Sequence, residues 1–226
     1  MVLDLGCGIG HMSRRIGRWF SNQGVDPASR VLATDVSRER FSAHEVQFVQ
    51  MDARHKLPIQ DGSLDLVVSV EVIEHISQPY EFLDQCRRLL KPGGMLVFST
   101  PNVGNLQSRV RALFMGLPSL YEMPSIDPDK AGRLCGHIMP LNWAYLAYGL
   151  RRSRFTSFSL HMDQRKKSST ILYFLLWPLL WLGNWRLSVH TRRYDMSVYR
   201  ENRQTLLDIN SPLALTSRSL VVQAVA

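Results

Sequence analysis

Short apolar runs alternate with amphipathic stretches along the first hundred residues, and this alternation limits the folds open to the chain. The apolar runs lie at 2–5, 30–34, 46–49, 64–70 and 95–100, and apolar residues recur at helical spacing over 11–20 and 80–90. Strands that alternate with helices favour an α/β fold, a doubly wound and mostly parallel sheet. Ligands of such sheets bind at the carboxyl ends of the strands.

Polar residues follow the predicted strands at the points where they end. Asp35, Asp52 and Glu71 come after the second, third and fourth runs, and "STPN" at 99–102 ends the fifth. Because the carboxyl ends of parallel strands lie at one edge of a sheet, this placement favours a binding site there.

The turn "DLGCGIG" at 4–10 indicates what this edge binds. Its glycines let the backbone approach a ligand and start a helix tightly. The spacing differs from the dinucleotide fingerprint G-x-G-x-x-G, and Asp4 is an acid beside the turn. A pyrophosphate disfavours that carboxylate, whereas an ammonium and a sulfonium favour it. Asp35 can accept from ribose hydroxyls, and Asp52 from the exocyclic amine of adenine.

Four segments together resemble the successive motifs of the class I S-adenosylmethionine-dependent methyltransferases, in particular the ubiquinone-pathway O-methyltransferase-like or methyltransferase type 11 group. They are "VLDLGCGIG", "ATDVS", "VQMDARHKLPIQDGSLDLVVSVEVIEHI" and "LLKPGGMLVFSTPN", within residues 1–102. The resemblance implies a Rossmann-like methyltransferase fold, a seven-stranded sheet with an antiparallel last strand and a helical insertion before it. It also implies that S-adenosylmethionine is held by Asp4, Gly6, Cys7, Gly8, Gly10, Asp35, Val36, Asp52, Ala53 and Val70.

On this resemblance the chain is a single methyltransferase domain over 1–226. Residues 1–102 form the cofactor-binding half, 103–162 an acceptor-side loop, helix and strand, 163–212 an apolar and basic insertion, and 213–226 the last strand. Members of the family usually carry helices before the first strand, whereas this chain begins that strand at Val2. The cover over the cofactor is therefore expected to come from elsewhere or from a longer chain.

The stretch "EVIEHI" at 71–76 carries Glu71, Glu74 and His75, which would share one face of a helix. One interpretation is structural, a carboxylate that complements a helix dipole. The other is a divalent metal site for Mg, Mn or Zn. The pattern is similar to that of the ubiquinone-pathway O-methyltransferases and small-RNA 2′-O-methyltransferases, which implies His137 as a fourth ligand. Glu71, His75 and His137 are the catalytic candidates, and without a metal either histidine could be the general base.

The expected reaction is methyl transfer to an oxygen, rather than a nitrogen or carbon, of a small-molecule or lipid- or glycan-linked acceptor. Two alternatives stay open: a regulatory or interaction protein that binds S-adenosylmethionine without catalysis, and an RNA methyltransferase. The irregular segment 103–136 is expected to bind the acceptor, with Tyr121 and Asp127 as candidates.

The net charge of +8 lies almost entirely in the second half of the chain. Residues 1–113 hold 13 Lys and Arg against 12 Asp and Glu, and residues 114–226 hold 14 against 7. This asymmetry indicates either an anionic partner or a solvated basic surface without one. The candidate partners are a membrane surface and nucleic acid, and nucleic acid ranks lower because the charges flank an apolar run.

That apolar run, 171–182, is shorter than the roughly 20 residues that span a membrane. Trp177, Trp181 and Trp185 recur at i,i+4 intervals, and basic residues lie on both sides. The pattern predicts membrane surface contact through 171–187, with a buried helix or a dimer contact as alternatives. Pro178 predicts a kink or two short helices.

Composition separates the chain from disordered and disulfide-stabilised classes. Residues are 45% hydrophobic and 20% charged, which is typical of a folded protein. The three cysteines are scattered and form no paired motif. Because a strand-like run begins at residue 2, we expect no signal peptide. We expect a cytoplasmic protein, peripheral to the membrane if 171–187 binds lipid, and the oligomeric state is left open.

Overall fold

The computed structural model describes residues 1–127 and 136–226. Residues 128–135, which are part of the predicted acceptor segment and include Cys135, lie outside the described residues. The chain divides into two compact units. The first comprises Met1–Thr100, Gly149–Ser159 and Val222–Ala226, and the second comprises Pro101–Tyr148 and Leu160–Val221.

The strands of the described residues form one seven-stranded sheet in the order β3-β2-β1-β4-β5-β7-β6, with β7 antiparallel. Their bounds are β1 Val2–Leu5, β2 Val31–Asp35, β3 Gln47–Gln50, β4 Leu64–Val70, β5 Leu90–Pro101, β6 Ser157–Met162 and β7 Ser219–Val225. The strand order reverses between β1 and β4, where Val2 pairs with Val31 on one side and Leu66 on the other. The predicted fold class is confirmed.

Seven α-helices connect these strands within the described residues. They are α1 His11–Asn22, α2 Pro79–Leu89, α3 Leu106–Met115, α4 Trp143–Arg152, α5 Lys167–Tyr194, α6 Met196–Asp208 and α7 Pro212–Thr216. Single turns of 3-10 helix lie at Pro27–Ser29 and Ile73–His75.

The core of the first unit is built on the central strands. Every residue of β1 is buried, as expected for a parallel strand covered on both faces. On α2, Phe82, Leu83 and Leu89 are buried, because an amphipathic helix packs its apolar stripe on the sheet. These contacts fix β1 and β4 firmly, so that the loops after them can hold side chains in defined positions.

The predicted turn "KPGG" at 91–94 lies inside β5, and the prediction that the strand starts at Met95 was wrong. The register explains the difference. Leu64 pairs with Leu90 and Leu66 with Met95, so that the "KPGG" residues are accommodated in a register irregularity of the β4–β5 ladder. Gly93, at a φ of 77°, supplies the left-handed backbone that such a bulge requires.

The second unit is organised around α5, which packs against α3, α6 and α7. Arg109 on α3 is largely buried and stabilises this arrangement. Its guanidinium donates to the carbonyl of Gly104 at 2.8 Å, to Oδ1 of Asn210 at 2.8 Å and to the carbonyl of Ile209 at 3.1 Å. Burial lowers the pKa of Arg109 from its usual value, because the charged form loses solvation.

Helix α5 is a single helix of 28 residues that contains Pro178. Of the two predicted alternatives, a kink or two short helices, the second was wrong. A proline removes one backbone hydrogen bond, whereas the turns on either side keep theirs and continue the helix. Within residues 1–127 and 136–226, no helix is long and apolar enough to cross a membrane.

Candidate active site

The glycine turn after β1 is tied to the neighbouring strand β2. The amides of Gly6 and Cys7 donate to the carbonyl of Thr34 at 2.8 and 2.9 Å. Gly6 has a φ of 75°, and a Cβ there would lie 2.4 Å from Cγ2 of Val72. The backbone of the turn therefore approaches the β4 loop so closely that only glycine fits without displacement.

A cavity of about 520 Å³ opens within the first unit at the carboxyl ends of β1, β2 and β4. Its lining includes seven of the predicted cofactor residues, namely Gly6, Gly8, Asp35, Val36, Asp52, Ala53 and Val70, together with Glu71 and His75. Gly8 has a φ of 52° and open space where a Cβ would be. The switch point of the sheet is therefore the place where most of the predicted residues meet.

Asp35 lies at the end of β2 with both carboxylate oxygens turned to backbone amides. Oδ2 accepts from the amide of Gly8 at 2.8 Å, and Oδ1 accepts from the amide of Ser37 at 3.3 Å. These bonds fix the carboxylate at the cavity wall and leave further lone pairs on each oxygen. The arrangement is suited to a ligand that presents hydroxyl groups.

Asp52 follows β3 and is held by Arg54. The Arg54 side chain donates to Oδ1 and Oδ2 of Asp52 at 2.6 to 3.0 Å, and its backbone amide donates to Oδ1 at 2.9 Å. These hydrogen bonds lower the pKa of Asp52. The carboxylate is therefore ionised and fixed, and Arg54 becomes a cavity residue that the sequence had not singled out.

Three predicted cofactor residues are not among the described residues that line this cavity: Asp4, Cys7 and Gly10. Asp4 is buried and accepts a hydrogen bond from the Ser13 hydroxyl of α1. Within the described part of the chain its Oδ1 has no hydrogen-bond partner. Burial raises the pKa of Asp4, and the Ser13 bond opposes that shift.

Cys7 and Gly10 serve the packing of the turn. The Cys7 side chain belongs to an apolar cluster with Val31 and Ala33, and burial raises the pKa of its thiol to about 12. Gly10 precedes α1 with a φ of 85°, and a Cβ there would lie 2.9 Å from Ala43. Any contact of these two residues with a ligand would therefore be made by the backbone.

Glu71 follows β4 in a left-handed conformation, with a φ of 54°, which is uncommon for a residue other than glycine. Ser99 on β5 holds it in place. The Glu71 amide donates to the Ser99 carbonyl at 3.2 Å, and the Ser99 hydroxyl donates to Oε1 of Glu71 at 3.0 Å. The prediction that Glu71, Glu74 and His75 share one helical face was wrong, because the chain turns at Glu71 and only a single 3-10 turn follows.

Glu74 is completely buried at this turn, whereas His75 lines the cavity. Burial raises the pKa of Glu74 to about 8, and the nearby charge of Glu71 adds to the shift. A carboxylate oxygen of Glu74 and a ring nitrogen of His75 lie within 4.8 Å of each other. An oxygen and an imidazole nitrogen at this separation are a donor pair that suits a divalent ion.

His137, the fourth predicted ligand, belongs to the second unit. Its Nδ1 lies 2.7 Å from the carbonyl of Leu120, which orients the ring and assigns the proton to Nδ1. The ring also lies beside Tyr121, with centroids 5.3 Å apart. Tyr121 is buried and donates from its hydroxyl to the carbonyl of Met139 at 2.8 Å, so this acceptor candidate has a packing role in the second unit.

Four further cavity residues lie within the quoted motif segments, but the sequence assigned no role to them. Leu5, Met51, Val72 and Ile76 supply apolar walls. Each is one or two residues away from a residue that the sequence did single out, so that proximity to a strand end was the available signal. Ser99 belongs to the "STPN" segment that the sequence placed at a strand end, and the pairing of β4 with β5 places it opposite Val70.

The sequence of the chain is similar to that of known methyltransferases. Residues 3–98 match the family model described as a methyltransferase domain. A probable S-adenosylmethionine-dependent methyltransferase of Mycolicibacterium smegmatis is 35% identical over 105 residues, which cover 45% of this chain and 38% of the relative. A ubiquinone biosynthesis O-methyltransferase of a Caulobacter species is 33% identical over 102 residues, covering 45% and 40%.

The similarity in fold to solved structures extends over the whole chain. A crystal structure of a SAM-dependent methyltransferase from Archaeoglobus fulgidus superposes with a TM-score of 0.58, covering all of this chain and 85% of the other. At 17% identity this likeness shows the shared fold. Residues 3–98 are thus similar to a methyltransferase domain over less than half of the chain. The matched segment spans less than half the length of either curated relative.

Proposed function

We propose that this chain transfers a methyl group from S-adenosylmethionine to an oxygen atom of a small-molecule or lipid- or glycan-linked acceptor. The observation that carries the proposal is the cavity at the switch point, where the glycine turn, two fixed carboxylates and His75 line one space. The name of the Caulobacter relative, an O-methyltransferase, supports oxygen as the accepting atom.

The chemistry of the cavity fits S-adenosylmethionine. Gly8 leaves open space where a side chain would block a ligand, and Asp35 offers carboxylate lone pairs for ribose hydroxyls. Asp4 is buried and is not among the described residues that line the cavity, so its contact with the amino-acid tail rests on the family resemblance alone. S-adenosylmethionine, when bound, supplies an electrophilic methyl group on a sulfonium.

The residues of this chain would then act on the acceptor. His75 lies at the cavity wall, where a neutral imidazole can accept the proton of an acceptor hydroxyl and make its oxygen more nucleophilic. Glu71, fixed by Ser99, can orient the acceptor through a hydrogen bond. Replacing His75 with Gln is expected to lower kcat by about a hundredfold or more with little change in cofactor affinity.

A divalent ion held by Glu71, Glu74, His75 and His137 remains a prediction. The oxygen and imidazole donors of Glu74 and His75 support it. Such an ion would lower the pKa of an acceptor hydroxyl. Dialysis against EDTA is expected to abolish turnover and leave cofactor binding intact, with restoration by added Mg²⁺, Mn²⁺ or Zn²⁺. An enzyme that keeps its activity after dialysis would contradict the metal role.

Calorimetric titration with S-adenosylmethionine and S-adenosylhomocysteine tests the shared part of the proposal. Asp35→Ala is expected to weaken binding by about 2 kcal/mol, because it removes hydrogen bonds to a charged group. Asp61→Ala is the matched control, since Asp61 pairs with Arg88 and does not line the cavity. Absence of binding to either ligand would refute the proposal.

Methyl transfer itself is tested with labelled S-adenosylmethionine and fractions of small molecules, lipids and glycolipids. The expected product carries the label on oxygen. Binding without transfer to any fraction would favour a regulatory protein that binds the cofactor without catalysis. Label in RNA would favour the RNA methyltransferase alternative.

A further inference from the structure

Helix α5 exposes a continuous apolar face to solvent. Phe174, Leu175 and Trp181 are 73%, 71% and 62% exposed. Ile171, Trp177, Leu179, Leu182 and Trp185 are also exposed. Soluble proteins rarely expose apolar patches of this extent, and those that do commonly use them for binding.

Helix α5 also has an inner face, which is separate from the exposed one and packs within the second unit. Leu172, Leu176 and Leu180 are half-buried and recur every four residues, and Ser169 at the start of the stripe is fully buried. They form the inner face that contacts the other helices of the unit. The helix is therefore apolar on its outer face as well, which packing within the unit does not require.

The charged residues of α5 and of the segment directly before it are of one sign. The sequence has no Asp or Glu between Asp163 and Asp195, whereas it has six basic residues there: Arg165, Lys166, Lys167, Arg186, Arg192 and Arg193. They lie at both ends of the apolar stretch. A helix of 28 residues is about 42 Å long, so the two basic groups bracket an extended apolar surface.

We propose that the outer face of α5 binds the surface of an anionic lipid bilayer, with the helix lying in the plane of the interface. The tryptophans would lie at the headgroup level, where aromatic side chains of interfacial proteins concentrate. The apolar residues would enter the boundary of the acyl chains, and the basic ends would contact anionic headgroups. This inference concerns the second unit and does not depend on the proposed catalysis.

Charge complementarity favours lipid over a second copy of this chain. In a symmetric contact between two α5 helices, basic ends would face basic ends whether the helices ran parallel or antiparallel, and α5 offers no acidic residue to compensate. A nucleic acid would match the charge. However, Ile171, Leu175 and Leu182 on the same face provide no flat surface for base stacking.

Flotation with vesicles of phosphatidylcholine, with and without phosphatidylglycerol, tests the proposal on the full chain. The protein is expected to bind the anionic vesicles and to bind the neutral ones more weakly. The triple variant Trp177→Ser, Trp181→Ser, Trp185→Ser is expected to lower partitioning at least about tenfold, because it removes the apolar anchors. Trp19→Ser on α1 is the matched control, since Trp19 is similarly exposed at 60%, and it should bind like the parent.

A second set of variants tests the charges. Changing Arg186, Arg192 and Arg193 to Gln is expected to weaken binding to anionic vesicles by about fivefold for each charge and to leave binding to neutral vesicles unchanged. In the parent protein, brominated lipids should quench tryptophan fluorescence, and this measurement needs no variant on α5. Trp143 is buried, and a Trp19→Phe background removes the other exposed tryptophan outside α5.

Several results would overturn the proposal. They are failure of the parent to bind anionic vesicles, absence of quenching by brominated lipids, and unchanged binding by the tryptophan variant. A dimer in analytical ultracentrifugation that the tryptophan variant dissolves, without vesicle binding, would assign the face to a second copy. A submicromolar, salt-dependent RNA gel shift that depends on the arginines, without vesicle binding, would assign it to nucleic acid.

Discussion

The strand-end edge of the first unit and the outer face of α5 in the second unit distribute polar and apolar side chains in opposite ways. In the first unit, apolar residues within the strands, such as Leu3 and Val31, are buried, and carboxylates at the strand ends are fixed by hydrogen bonds at a cavity. On α5, large apolar side chains are exposed and basic residues lie at the ends. The first arrangement holds a few polar atoms in fixed directions through hydrogen bonds. The second arrangement provides an apolar area without directional contacts.

This difference indicates how each region should respond to substitution. A site made of hydrogen bonds and close backbone approaches should be sensitive to single atoms. A surface that binds through area should lose affinity gradually, and its exposed residues should contribute little to the stability of the fold. Variants in each region test whether the two regions differ in their sensitivity to substitution.

The largest effect on stability is expected at the glycine turn. Gly6→Ala should lower the free energy of unfolding by about 3 kcal/mol, because it combines left-handed strain with the contact to Val72. Gly24→Ala, at a nearly equal φ of 73° and with open space around it, should cost only about 1 kcal/mol. Urea unfolding of both variants measures the difference.

Two further variants test whether the contact with Val72 causes the loss of stability. Val72→Ala in the Gly6→Ala background should recover part of the lost stability. Gly8→Ala, which also meets no neighbouring atom, should unfold like Gly24→Ala but lose affinity for S-adenosylmethionine. Equal stabilities of Gly6→Ala and Gly24→Ala would show that the turn is not tightly packed.

Helix α5 should show the opposite pattern on its two faces. Leu180→Gln on the half-buried inner face should lower the free energy of unfolding by about 1.5 kcal/mol. Trp181→Gln, one residue further and exposed, should change it by less than about 0.5 kcal/mol. Thermal unfolding of the two variants measures both changes in the free energy of unfolding. If Trp181→Gln proves the more damaging, the outer face is packed within the protein.

A smaller and pH-dependent effect is expected at Asp4. Its native pKa is raised by burial, so the folded protein holds a proton that the unfolded chain has already released. Stability should therefore fall as pH rises from the unfolded pKa through the raised native value. Asp4→Asn cannot ionise and should gain stability relative to the parent over that range. A difference between the two proteins that is constant with pH would contradict this assignment.

The smallest expected change concerns Cys7 and Cys86, whose thiols should not react with a disulfide reagent in the folded protein. Burial raises the pKa of both Cys7 and Cys86 to about 12, which leaves almost no thiolate at neutral pH. In a Cys135→Ser variant, a disulfide reagent such as DTNB should not react until denaturant is added. Rapid reaction of one thiol in the native protein would show that the glycine turn or the core opens easily.

The sequence predicted the parts of this structure that local pattern controls. The apolar run 64–70 is β4 residue for residue, and the glycine turn lies where the spacing indicated. Asp35 and Asp52 reach the cavity because parallel strands bring their carboxyl ends to one edge.

The features that the sequence did not predict depend on partners far along the chain. The left-handed turn at Glu71 is held by Ser99, 28 residues away. The "KPGG" residues lie in a strand because β4 pairs on both sides of them. Helix α5 continues through Pro178 because neighbouring helices of the second unit pack along it, a tertiary contact that outweighs a local preference.

The left-handed conformation of Glu71 also determines which residues should replace it when variants are selected for stability or for activity. A left-handed backbone disfavours a side chain with a Cβ by roughly 1–2 kcal/mol, and glycine or asparagine relieve most of that strain. In a saturation library sorted for stability alone, Glu71 should be replaced mainly by these two residues. In the same library sorted for methyl transfer, the carboxylate should persist. The ratio of the two enrichments would measure how much stability this chain gives up for function at a single residue.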